Sequence, residues 1–341
     1  MVAVTKELSL SGLKDAVSEE WRQREVITAL ATGIDFVTDD NDRVLFSVGS
    51  RKFGVTYGAF QNLGHSLGIP KTITEKFGPE LVRPLFMHQI REGKEGAYSA
   101  VIRNNVVEGF SVGQLNPVLD VDVIDAVVDV VNDRNYGTLG AHHISFDPFL
   151  STYSITRALD HEIAVNDPVR TGLTVSNSIT GSRRLEVSAY VHRLVCTNGA
   201  ISATNSYKFS GGKYGDKEED RNEWLRRVIG DAFDAADEEV ERLRTLRNVR
   251  FEGHLSESLN SIYSELSVPV AMRNALTDMV IDGNAETGYD IYNMITDIAS
   301  NSPIATSDAN LSYRMMRVGG KLAESTSFCG GCHRILPHAS H

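Results

Sequence analysis

The most reactive side chains of the chain lie near its C-terminus, where Cys329, Cys332 and His333 form a Cys-x-x-Cys-His pattern. Two thiolates at this spacing can bind one tetrahedral zinc ion, and nearby imidazoles can complete its ligands. The sequence therefore predicts a zinc site formed by Cys329, Cys332, His333 and His338. A redox thiol pair and a tail with two free thiols stay open, because a structural zinc site usually has a second Cys-x-x-Cys pair. The same pattern is that of haem c attachment, which the lack of a recognisable export signal disfavours.

A second group of side chains has the composition of a site for single-stranded nucleic acid. Its members surround a strand and the glycine-rich loop after it, and they are Arg183, Arg184, Tyr190, His192, Arg193, Tyr207, Lys208 and Lys213. Cations bind phosphates and aromatic rings stack on bases, so this combination is typical of a single-strand groove. The alternative interpretation is a solvated hairpin whose charges have no common ligand.

No catalytic centre is recognisable in the sequence. It contains no His-Glu-x-x-His, P-loop, Gly-x-Ser-x-Gly or dinucleotide-binding pattern. Cys196 has no base in direct reach, since His192 lies four residues away on the same strand. His142 and His143 are adjacent, and neighbours on a regular strand point to opposite faces, so we do not expect both at one ion. The sequence favours a protein without enzymatic activity.

The elements that position these residues divide the chain into two parts. Alternating polarity predicts a half-buried strand over 184–195, and Asn198-Gly199 predicts the hairpin after it. Helical spacing predicts helices over 11–32 and 57–67, while the apolar run 118–131 fits either helix or buried strand. Later helices are predicted over 218–246, 256–266, 268–280, 289–300 and 311–323.

This order of elements predicts an α+β fold, with a mixed, mainly antiparallel, β-rich N-terminal part followed by a helical C-terminal part. We expect residues 1–215 to form the β-rich core. Residues 216–326 form a helical region packed on that core or on a neighbouring subunit. Residues 327–341 form a tail that contains the cysteine and histidine residues.

The composition limits the location and partners of the protein. The 341 residues carry a formal net charge of −11, which opposes broad coating of duplex DNA but permits a local basic groove. No run of apolar residues is long enough for a membrane helix, and we expect no membrane partner. Three cysteines and no signal peptide indicate a reducing cytoplasm.

Several motifs resemble a family of phage- and plasmid-borne proteins, the family of unknown function numbered nine-three-two. They are Phe46-x-x-Gly49-x-Arg51-x-Phe53-x-Val55, Leu67-Gly68-Ile69-Pro70, Gly172-Leu173-x-Val175-Ser176-Asn177-Ser178, Arg193-Leu194-Val195-Cys196-Thr197-Asn198-Gly199 and Tyr292-Asn293-x-Ile295-Thr296. The chain departs from the family at 100–105, where an Arg-Ala-apolar-Leu-Ser-x-Arg-Tyr run is replaced by Ala-Val-Ile-Arg-Asn-Asn. The resemblance implies a mobile-element origin and a host-cell cytoplasm as location. It implies no activity.

Together these features predict an oligomeric phage or plasmid protein that binds or anneals single-stranded DNA or RNA, as in recombination. One alternative is an acidic protein that binds and inhibits a host defence or another host machine, since an acidic surface suits basic partners. A second alternative is a metal-dependent enzyme whose site is assembled from scattered residues.

Overall fold

The computed structural model of the chain describes residues 2–4, 8–39, 43–77, 79–93, 96–113, 115, 118–147, 149–164, 166–194, 198–208, 221–250, 255–283, 285–329 and 334–337. Of residues 2–4, 79–80, 198–207, 255–258, 306, 309, 326–329 and 334–337 it describes the backbone alone. Two sheets and two groups of helices account for most of these residues, which confirms the predicted α+β class.

The chain begins with the short strands β1 (Val2–Val4) and β2 (Leu8–Ser9), followed by helix α1 (Leu10–Arg22). The Ser9 hydroxyl caps α1 by accepting the backbone N–H of Gly12. The helix predicted over 11–32 was wrong beyond Arg22, because residues 24–30 form a strand. That segment contains Val26, Ile27 and Thr28, whose branched side chains favour strands, and it pairs with a distant strand.

The first sheet is built from residues 24–112. Its strands are β3 (Arg24–Leu30), β4 (Ile34–Thr38), β5 (Val44–Val48), β6 (Arg51–Val55), β7 (Ala97–Arg103) and β8 (Val106–Val112). They lie in the order β3-β7-β8-β6-β5-β4 and are antiparallel except for the β6–β8 pair. Gly49 and the pair Asn104-Asn105 adopt positive φ in the β5–β6 and β7–β8 turns, which tight hairpins require. Strands β5 and β6 form a hairpin around Gly49.

Three helices cover one face of the first sheet, and they are α2 (Tyr57–Ser66), α3 (Lys71–Lys76) and α4 (Pro79–Glu92). The Thr56 hydroxyl caps α2, and Gly68 follows its C-terminal end with φ of 73°, so the helix predicted over 57–67 is confirmed. Phenylalanine rings fill the space beneath, with Phe46 and Phe110 edge to face at 5.0 Å between ring centres. This packing gives the first sheet a hydrophobic core of its own.

The second sheet follows helix α5 (Asp120–Arg134), which settles the ambiguous run 118–131 as helix. Its long strands are β9 (Leu139–Phe146), β10 (Ser151–Ala164), β11 (Asp167–Asn177), β12 (Glu186–Arg193) and β13 (Asn198–Lys208). They pair antiparallel in chain order, and β1 and β2 join the free edge of β9. Strands β12 and β13 pair antiparallel, which confirms the predicted hairpin. The position predicted for its turn was wrong, because Asn198 and Gly199 belong to β13 and pair with Arg193 and His192.

The second sheet is covered on both faces. Helix α6 (Arg221–Leu246) packs with α5 on the apolar face, where small residues such as Ala232 and Ala236 let it lie close to the strands. The opposite face carries mainly hydroxyl and imidazole side chains. Residues 185–192 are all buried, so the expectation of a half-buried strand was wrong. The alternation of apolar and polar residues along β12 does separate two faces of the sheet, but other elements cover both faces.

The remaining helices lie after α6 and share one large hydrophobic cluster with it. They are α7 (Leu255–Glu265), α8 (Val270–Asp282), α9 (Gly288–Asn301), α10 (Pro303–Ser307) and α11 (Ala309–Ala323). A capping box between Thr287 and Asp290 begins α9. Strands β14 (Ser325–Cys329) and β15 (Arg334–Pro337) then form a two-stranded hairpin within the expected tail. Within the described ranges, no helix is long and apolar enough to cross a membrane.

Candidate functional site

Arg183 and Arg184 lie exposed in the turn that follows β11. The turn is held by hydroxyl contacts, with the Ser178 hydroxyl 3.0 Å from that of Thr180 and 2.8 Å from that of Ser182. Arg183 donates a hydrogen bond to the side-chain oxygen of Asn310 at 2.9 Å, at the start of α11. This contact joins the arginine turn to the surface of α11.

The surface of α11 extends the positive charge. Asn310, Arg314 and Arg317 lie at positions i, i+4 and i+7, so they share one face of the helix. Arg314 is exposed, and Arg317 forms an ion pair with Glu186 at the start of β12. Lys208 Nζ lies 3.9 Å from the other oxygen of Glu186. We call Arg183, Arg184, Lys208, Arg314 and Arg317 the basic patch.

Carboxylates neutralise only part of the basic patch. Glu186 contacts Lys208 and Arg317, and Asp308 caps the nearby N-terminus of α11. Within the part of the chain that the structure describes, Arg184 and Arg314 form no ion pair, and Arg183 contacts a neutral amide. The basic patch therefore presents surplus positive charge on a molecule whose net charge is −11.

Three other residues of the predicted nucleic-acid set lie inside the protein. Tyr190 and His192 are 0% and 4% exposed, so neither ring can stack on a base in this conformation. The Arg193 guanidinium donates to both oxygens of Asp167, at 2.6 and 3.0 Å, which neutralises its charge. Tyr289 donates to the same carboxylate at 2.7 Å. Assigning these three residues to an exposed groove was therefore wrong for this conformation.

The rest of the predicted sites lie partly or wholly outside the described residues. Strand β13 includes Tyr207, whose side chain is outside the description, as is all of Lys213. The backbone of Cys329 belongs to β14, while Cys332, His333 and His338 are outside the described ranges. Among the side chains that are described, no three histidine, cysteine or acidic groups are arranged to hold a metal ion. The zinc site stays a prediction.

A cluster of imidazoles, which we call the histidine cluster, lies on the polar face of the second sheet. The rings of His142 and His192 are 4.3 Å apart between centres, and those of His143 and His192 are 5.8 Å apart. Tyr190 stacks on His192 at 6.2 Å, with an angle of 17° between the rings. His142 and His143 are partly exposed, whereas His192 and Tyr190 are buried.

The backbone at His143 explains how two adjacent histidines reach the same cluster. His143 has φ of 48°, and the pairing of β9 with β10 shifts register beside it, between Thr152 and Ser154. A β-bulge of this kind inserts a residue and re-aims its side chain. The expectation that His142 and His143 would point to opposite faces was therefore wrong, because β9 is not a regular strand at this point.

Curvature of the sheet brings His142 and His192 together. Their strands β9 and β12 are separated by β10 and β11, so a flat sheet would hold them ~14 Å apart, three inter-strand spacings. The ring contact at 4.3 Å requires the polar face to be strongly concave. Gly172 on β11 faces this concavity, and a Cβ there would lie 1.9 Å from the Ile155 carbonyl oxygen. Only glycine fits this close approach of β10 and β11.

Hydroxyl groups line the rest of the concave face. The Thr156 hydroxyl is 2.9 Å from His142 Nε2, and the hydroxyls of Ser154 and Thr174 are 2.6 Å apart. The Tyr190 hydroxyl lies near Ser154 without a well-formed hydrogen bond. Burial, and then the nearby Tyr292, raise the pKa of Tyr190 well above its usual value, so the phenol stays neutral. The sheet thus has one apolar face and one polar face, both shielded.

A buried carboxyl group lies near the opposite ends of the same strands. Asp120, in the first turn of α5, accepts hydrogen bonds from Asn177 at 3.0 Å and Tyr153 at 3.5 Å. Burial raises the pKa of Asp120 to about 6, and these bonds and one with Ser151 limit the rise. A cavity of about 20 Å³, room for one water, lies beside it and is also lined by Arg24.

Few features of the sequence indicated the histidine cluster or the burial of Asp120. The cluster depends on pairing between segments about 50 residues apart, and the bulge at His143 is not encoded by a glycine, asparagine or proline. Gly172 within an otherwise regular strand was the available signal, because an isolated strand glycine marks a bulge or a close backbone approach. The burial of Asp120 could not be predicted, because an acidic residue in the first turn of a helix is usually exposed to solvent.

Comparisons of the chain with protein-family models, with curated proteins and with solved structures found no match. No function therefore comes from similarity, and the likeness to the phage and plasmid family stays a prediction from motifs. The function has to be argued from the surfaces and side chains themselves.

Proposed function

We propose that this protein binds single-stranded DNA or RNA at the basic patch and acts in nucleic-acid transactions of a phage or plasmid, with strand annealing as the concrete form. The observation that supports it most is the surplus positive charge of Arg183, Arg184 and Arg314 on an acidic molecule. Arginine guanidinium groups suit phosphates because they offer several donors in a fixed geometry.

The surroundings of the basic patch favour a single strand over a duplex. A duplex contacts a broad surface, and the net charge of −11 opposes that contact outside the basic patch. The sequence just after Lys208 adds Lys213 and Tyr214, a cation and a ring of the kinds that bind unpaired nucleotides. Binding then rests on a local groove, with the acidic remainder limiting non-specific contact.

A charge-matched pair of variants tests the proposal. The double variant Arg183→Ala, Arg184→Ala removes two patch cations. Its control, Arg226→Ala with Arg227→Ala, also removes two adjacent exposed arginines, but these face Asp129 and Asp231. Fluorescence anisotropy with a labelled single-stranded oligonucleotide at 50 and 200 mM salt should show about tenfold weaker binding for the first variant alone. The slope of log affinity against log salt should fall by ~1.4, for two lost phosphate contacts.

Two outcomes would contradict the proposal. Equal loss in both variants would mean that net charge, and not the basic patch, controls binding. No binding by the natural chain at either salt would remove nucleic acid as the ligand and favour an acidic protein that binds a host partner. Light scattering in the same experiment tests the expected oligomer, since annealing needs several chains on one strand.

A further inference from the structure

The histidine cluster joins strands that are not hydrogen-bonded neighbours. His142 belongs to β9 and His192 to β12, and their rings meet across the concavity above β10 and β11. His143 contacts the same ring of His192 from a second position on β9. The cluster therefore connects the edge of the sheet that carries β1 and β2 with the strand that leads into β13.

Imidazole is the side chain whose charge changes between pH 5 and 8. If two imidazole rings this close were both protonated, two positive charges would be in contact next to a buried tyrosine. Separating the rings would relieve that repulsion and allow water to reach them. The two strands share no backbone hydrogen bonds with each other. Uncurling the sheet therefore acts on the ladders that join β9 to β10 and β12 to β11, and it exposes their amides to exchange.

We infer that the histidine cluster is an acid-sensitive clasp: while neutral it holds the polar face of the second sheet curled, and proton uptake releases β9 from β12 and opens that face. The open form binds more protons than the closed one. Acidification therefore favours opening, by up to about tenfold per pH unit for each additional proton bound.

The other ionisable groups around the clasp do not supply an equivalent charge change in this range. Strand β11 contributes Arg170, which lies across from His192 and donates to Asp160 of β10 at 2.7 Å. Strand β12 contributes Tyr190, and α9 contributes Tyr292, both phenols with pKa values raised by burial.

More distant charges and β13 complete the surroundings. Glu239 of α6 lies near Tyr292, and Arg193 is held by Asp167. In β13 the ionisable residue before Lys208 is Tyr207. None of these groups is an imidazole. His161 of β10 lies 3.8 Å from Asp237 of α6, and Asp120, which contacts β10 and β11, has a pKa of about 6. The His192→Phe variant keeps both residues, so it separates their response to pH from that of the clasp.

Hydrogen exchange read by mass spectrometry between pH 7 and pH 5, corrected for intrinsic rates, tests the clasp on the full chain. On going from pH 7 to pH 5, the amide exchange rates in β9 and β12 should rise at least tenfold relative to those in the first sheet. His192→Phe keeps a stacking ring without a charge, so this variant should not respond. His142→Gln can still form a hydrogen bond with Thr156, and its exchange rates should also not respond to pH. His65→Gln and His88→Gln change exposed histidines of α2 and α4 and should respond as the natural chain does.

An exchange ratio that does not change with pH, or an equal acid response in His192→Phe, would overturn the inference. So would uptake of one equivalent of Zn²⁺ or Ni²⁺ by the natural chain and not by His192→Phe, since the cluster would then be a metal site. A response in β9 and β12 without any response in the first sheet separates release of the clasp from global acid unfolding.

Discussion

Asp120 shows how burial sets the chemistry of a single residue. Its carboxyl group is removed from water at the start of α5, and it receives hydrogen bonds from Asn177 and Tyr153 of the second sheet. With a folded pKa of about 6 against an ordinary value of 3.8, the native group binds a proton more tightly than the unfolded one. This group therefore favours the folded state most below pH ~4. That contribution is lost as the pH rises through about 6.

We expect Asp120→Asn to stabilise the protein at high pH and not at low pH. The shift of about two pKa units corresponds to at most ~3 kcal/mol of unfolding free energy at pH 8. The asparagine oxygen can still accept the bond from Asn177. Urea unfolding at pH 4, 6 and 8 measures the change, which should grow with pH. The control is Asp122→Asn. Asp122 lies two residues further along α5 and pairs with Arg221, so this variant should show no such gain in stability. An equal gain at all three pH values would contradict the assignment.

Residue types also explain which site predictions failed. Tyr190, His192 and Arg193 have the composition of a nucleic-acid site, but composition does not specify which face of a strand is covered later by other elements. Alternation along β12 correctly separated two faces. It could not reveal that the polar face is also buried, because the residues that cover it lie far away in the sequence.

At the scale of elements, local signals predicted the structure well and non-local ones did not. The end of helix α2, the hairpin after strand β12 and the amphipathic helix α6 were predicted from neighbouring residues, and all are present. Strand β3 was missed because its pairing with β7, which joins residues 67 to 79 positions apart from Leu30↔Ala97 to Arg24↔Arg103, decides its conformation. The bulge at His143 was missed for the same reason, since pairing with β10 creates it.

The close approach of β10 and β11 at Gly172 gives a test at this scale. Gly172→Ala would place a Cβ 1.9 Å from the Ile155 carbonyl oxygen and 2.7 Å from Thr156 Cα, both of which are backbone atoms that cannot rotate away. We expect a loss of about 3 kcal/mol or more in unfolding free energy, or failure to fold. Urea unfolding and circular dichroism measure either result.

Gly33→Ala is the matched control for this substitution. Its added Cβ would have nothing within 4 Å, so the unfolding free energy should change by less than ~0.5 kcal/mol. A Gly172→Ala variant as stable as this control would mean that β10 and β11 can move apart at Gly172. The strong curvature that brings His142 to His192 would then need another cause.

At the scale of the whole molecule, an acidic chain that carries the basic patch has opposing electrostatic effects on nucleic-acid binding. The net charge of −11 repels a polyanion at a distance, while the basic patch attracts it at short range. Salt screens both effects, but a close phosphate contact releases counterions and so dominates the salt dependence. Local charge at the basic patch should therefore matter more than total charge.

Glu186 separates these two contributions, because it is the carboxylate that lies between Lys208 and Arg317. If the basic patch binds phosphates, Glu186→Gln should strengthen binding of a single-stranded oligonucleotide by about two- to fivefold. It should also steepen the salt slope by ~0.7, the effect of one further phosphate contact. Glu238→Gln removes the same charge from an exposed position of α6, and it should leave the affinity and the salt slope unchanged. Equal strengthening by the two variants would assign the effect to net charge. Weakening by Glu186→Gln, with folding intact by circular dichroism, would mean that Glu186 positions the cations rather than competes for them.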